Sequence, residues 1–118
     1  MIVTTTESVP GRTLREVIGL VRGNTVRAAH ASEDLSAWMR NLVGGEITEY
    51  TKLLAESREQ ALDRMRAEAA ALGADAIVGV RIVTCEIAEG AAEILVYGTA
   101  VRLEAANASG PARPRSER

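Results

Sequence analysis

Apolar positions recur at two different periods along this chain, and the change of period divides it. From Ile47 to Leu72 the stripe Tyr50, Leu54, Ala61, Met65, Ala69 and Leu72 is spaced three, four or seven apart, with Ser57 filling the missing turn. That spacing predicts one long helix with a single apolar face. Gly73 follows where a left-handed residue closes a helix. The run Ala76–Glu86 then becomes β-branched, predicting a strand that turns at Ala88-Glu89-Gly90 and returns through Ala92–Leu103.

Both faces of this hairpin read as apolar. Val78, Val80 and Ile82 alternate with Ile77, Val83 and Cys85 on the outgoing strand, and Ile94 and Val96 alternate with Leu95, Tyr97 and Val101 on the return. One helix covers one face of a sheet, so the other face is expected to meet the N-terminal strands or another subunit.

The N-terminal half is patterned more weakly. Ile2–Thr6 predicts a minor edge strand, and Pro10-Gly11 a turn. Leu14–Arg22 reads as a strand, Gly23-Asn24 as a turn and Thr25–Ala28 as a short second strand. Ser32-Glu33-Asp34 opens a helix that carries Leu35, Trp38, Met39 and Leu42 on one face and stops at Gly44-Gly45. From Ala105 the composition shifts to Asn, Ser, Gly, Pro and Arg, which predicts a folded domain over 1–104 and a flexible tail over 105–118. The fold class expected is α+β: a small β-α-β-β subunit with one long helix packed on an antiparallel sheet.

Composition narrows the function classes. Aromatic residues make up 3% of the chain, with no Phe, one Trp and two Tyr, which leaves little with which to stack nucleic-acid bases. Net charge is −2, and because the tail holds Arg113, Arg115 and Arg118 against Glu117, the body is more acidic still. That is the wrong sign for a duplex-binding surface. Nucleic acid and membrane are therefore not expected partners, since no apolar run is long enough to span a bilayer. A single cysteine and an N-terminus without a basic, apolar leader point to the cytoplasm.

Candidate chemistry is sparse. Cys85 is the one thiol and His30 the one imidazole, so a metal site built from one chain would combine Cys85 and His30 with carboxylates such as Asp75. Each has a plainer reading: Cys85 as a small strand residue, His30 as a loop residue, and Asp75 as a carboxylate bonding backbone N–H groups at a turn. Glu86, Glu89 and Glu93 bracket the hairpin turn, where acids also serve solubility. Gly44-Gly45 could present N–H groups to a phosphate, but Glu46 and Glu49 fill that end with negative charge. Arg64 and Glu68 fall i, i+4 within the apolar sector of the long helix, as the edges of a wide stripe or as an ion pair between subunits. With Tyr97 on the hairpin's second face they are the candidate interface residues. No nucleophile and base come together in the sequence, so no catalytic residue is expected.

The ordered set Val43-Gly44-Gly45, Tyr50, Arg58-Glu59, Leu72-Gly73-Ala74-Asp75-Ala76-Ile77-Val78-Gly79-Val80 and Gly98-Thr99-Ala100-Val101 resembles the YbjQ-like family of bacterial and archaeal proteins, whose members carry a heavy-metal-binding label. The resemblance implies subunits that close into a ring, usually a homopentamer, and a divalent or soft metal ion as the cofactor to consider. Glu46-Ile47 departs from the Arg-Ser that follows the glycine pair in the family pattern. The functions to weigh are an oligomeric binding or scaffold protein first, a metal-binding module second and an enzyme last.

Overall fold

The computed structural model describes residues 1–28, 48–88 and 91–105. Over these the chain forms β1 (Ile2–Val3), β2 (Leu14–Ala28), α1 (Thr48–Ala71), β3 (Ala76–Ala88) and β4 (Ala91–Leu103). The strands make one sheet in the order β1-β3-β4-β2, with β4 antiparallel to both neighbours and β1 parallel to β3 at the edge. The sheet is mixed rather than antiparallel, because β1 and β3 are separated by a whole strand and helix and need no tight turn between them. The expected helix over 32–42, Gly44-Gly45 and the turn residues Glu89 and Gly90 lie outside the described residues.

Helix α1 lies across β2 and β4. Its stripe is as the spacing predicts: Ser57, Ala61, Met65 and Ala69 are fully buried. They meet Val21, Ile77, Val80, Ile94, Val96 and Ala100 from the sheet. Leu72, expected to close the stripe, is 46% exposed because the chain has already left the helix. Gly73 takes φ +79°, its N–H donates to the Ala70 carbonyl at 3.0 Å, and the Ala74 N–H donates to the Ala69 carbonyl at 3.1 Å. Those two bonds are the Schellman pattern that ends a helix on glycine.

Two glycines overturn local expectations. Gly23 is not a turn residue; β2 is one continuous strand from Leu14 to Ala28. It is a crossing point, since a Cβ there would overlap the Ala61 carbonyl oxygen and sit 2.5 Å from the Met65 nitrogen. Gly79, at φ +62°, lies in a bulge of β3, where the register to β4 shifts between Val78 and Arg81. An extra residue reverses the alternation of faces. Ile77 and Val80 consequently both face α1, whereas Val78 joins Ala76, Val101 and Leu103 on the opposite side.

Candidate functional site

Among the described residues, the face of the sheet away from α1 is covered at one end only. There Val9, from the segment between β1 and β2, packs on Ala76, Val78, Val101 and Leu103. Beyond it the strand register aligns Leu20 with Thr99, Arg22 with Tyr97 and Arg81, Asn24 with Leu95 and Val83, and Val26 with Glu93 and Cys85. Residues directly opposite in an antiparallel ladder share a face. This open face therefore carries Leu20, Val26, Leu95, Val83 and Tyr97 interleaved with Arg22, Asn24, Arg81 and Glu93, with Leu20 62% and Val26 55% exposed. Every residue of β3 from Arg81 to Ala88 is exposed.

Arg64 and Glu68 do something the sequence spacing did not indicate. The Glu68 carboxylate accepts the Arg22 backbone N–H at 2.8 Å, and the Arg64 guanidinium donates to the Asn24 carbonyl at 2.6 Å. Gly23 between these two strand residues lets α1 come close enough for both. The pair thus closes the outer edge of β2, where a sheet would otherwise offer unpaired backbone groups.

Asp75 occupies the plainer of its two roles. Its Oδ2 accepts the Leu103 N–H at 2.9 Å and its own N–H donates to the Val101 carbonyl at 2.9 Å, so it extends the β3–β4 ladder by one step. Cys85 is exposed toward the far end of β3, where its thiol lies 3.8 Å from the neighbouring Glu86 carbonyl. Ten residues of strand, roughly 33 Å at about 3.3 Å per residue, separate Asp75 from Cys85, so one subunit does not bring them to a common ion. His30 lies outside the described residues. Among the described residues no three of His, Cys, Asp and Glu gather as a metal ion would require. Glu93, on the same face as Cys85, accepts from the Asn24 amide at 3.2 Å.

Two polar arrangements escaped the sequence reading. Ser57 is fully buried in the α1 stripe: its hydroxyl donates to the Leu53 carbonyl at 2.9 Å and accepts from Arg27 Nε at 2.8 Å, while its carbonyl accepts from Thr25 Oγ1 at 3.2 Å. Arg27 also reaches Gln60. The signal was present as the one polar residue in the apolar series. Arg102 donates to the Leu72 carbonyl at 3.2 Å, supplying from β4 a cation for the negative end of a helix whose own last turn has none. Only the tertiary fold brings those residues together. No helix of the described residues is long and apolar enough to cross a membrane.

Comparison with known proteins agrees with this architecture. A UPF0145 protein of Archaeoglobus fulgidus is 56% identical over 103 residues, covering 87% of this chain and 95% of its own length. UPF0145 protein TTHA1944 of Thermus thermophilus is 56% identical over 106 residues, covering 90% of this chain and 93% of its own. A crystal structure of a DUF74-family protein from Pediococcus pentosaceus superposes with a TM-score of 0.62 at 18% identity, covering 88% of this chain and 98% of that one, and so shares the fold. The family model YbjQ_1, described as "Putative heavy-metal-binding", matches residues 1–104, and the chain belongs to that family.

Proposed function

We propose that this chain is a non-catalytic binding or scaffold subunit that closes into a homo-oligomeric ring, with five copies as the ring size the family resemblance implies. The observation that carries the reading is the open sheet face: Leu20, Val26 and Val83 stand exposed beside Leu95 and Tyr97 on the side α1 does not cover. Exposed apolar side chains gathered on one uncovered face are a liability on a monomer and an asset at an interface. A ring needs a heterologous contact, in which this face meets a different surface of the next copy. Light scattering at micromolar concentration should give about five times the 12.5 kDa subunit mass. Leu20→Lys, at an exposed position outside the core, should release subunits that keep their fold. A folded 12.5 kDa monomer for the native chain would overturn the reading.

A second reading, metal binding, is favoured by Cys85 and Glu93, which stand opposite one another across β3 and β4 and so pair a thiol with a carboxylate on the open face. Two ligands are fewer than a zinc or copper site takes, so copies around an axis would have to supply the remainder. Elemental analysis of untagged protein, with zinc and copper titration of the native chain and Cys85→Ser, tests it. A fixed stoichiometry lost in Cys85→Ser would support the module. Affinity weaker than micromolar in both proteins would leave the scaffold.

A further inference from the structure

We draw no further inference here: the strongest candidate, the cross-strand band of Arg22, Tyr97 and Arg81 on the sheet face that α1 leaves open, belongs to the face already described, and nothing in the structure shows what covers it.

Discussion

Gly23 lies directly beneath the Ala61 carbonyl, so close that a Cβ at position 23 would overlap that oxygen and approach the Met65 nitrogen to 2.5 Å and the Arg64 Cβ to 2.9 Å. Helix backbone cannot swing aside as a side chain can. Gly23→Ala should therefore push α1 off β2 and destabilise the fold by about 1–3 kcal/mol, the range for overpacking a filled interior. A urea titration read by circular dichroism checks this. An unchanged midpoint would mean that the helix is not seated on the strand at this point.

That contact also shows where the sequence was legible. The inward stripe Ala61, Met65 and Ala69 and the helix stop at Gly73 could be read because each is a local property, set by a 3.6-residue period or by one residue's φ. Gly23 and Gly79 could not, since a glycine in an apolar stretch signals a turn, a bulge or a close approach alike, and only the partner decides which. The bulge at Gly79 then carried Val78 to the face opposite Val80, against simple alternation. The candidate site suffered the same limit: Arg64 and Glu68 were singled out by their place on the stripe, but their partners, the backbone of Arg22 and Asn24, lie 40 or more residues away in the chain.

Gly73 should tolerate no β-branched residue. At φ +79° an L side chain is strained by about 1–2 kcal/mol, and a Cβ would stand 3.0 Å from the Arg102 guanidinium that bonds the Leu72 carbonyl. Gly73→Val should lower the melting temperature by several degrees, whereas Gly73→Asn, a residue that enters the left-handed region more readily, should lower it less. Equal melting of the two variants would argue against a left-handed helix end.

Removing the Asp75 carboxylate leaves the part-buried Leu103 N–H, at the end of β4, without its acceptor. An orphaned donor of this kind costs about 1–3 kcal/mol when buried, and less here because Asp75 itself is exposed. Asp75→Ala should fall at the lower end of that range. Metal affinity should not change in that variant, since the ladder occupies the carboxylate; a loss of zinc or copper binding would show a ligand role instead.

Truncation after Ala105 should leave the melting temperature within scatter. The family match ends at residue 104, and among the described residues the last bonds belong to Glu104: its N–H donates to the Thr13 carbonyl at 2.8 Å, and its carbonyl accepts from Arg12 at 3.0 Å. Both survive the cut. A drop in stability beyond about 1 kcal/mol would show that residues after 105 dock on the domain.

Replacing Glu68 and Arg64 together by alanine tests what holds the β2 edge closed. Neither side chain belongs to the buried stripe, and both are exposed, so the fold should persist with little loss of stability. The loss should appear in association instead. With the Arg22 N–H and the Asn24 carbonyl no longer bonded, the outer edge of β2 offers a template for a foreign strand flanked by the exposed Leu20 and Val26. The double variant should form larger, concentration-dependent species in light scattering, and Val26→Lys added to it should suppress them by charging the reopened edge. If the double variant keeps the native mass at every concentration, the edge is shut by something other than these two side chains.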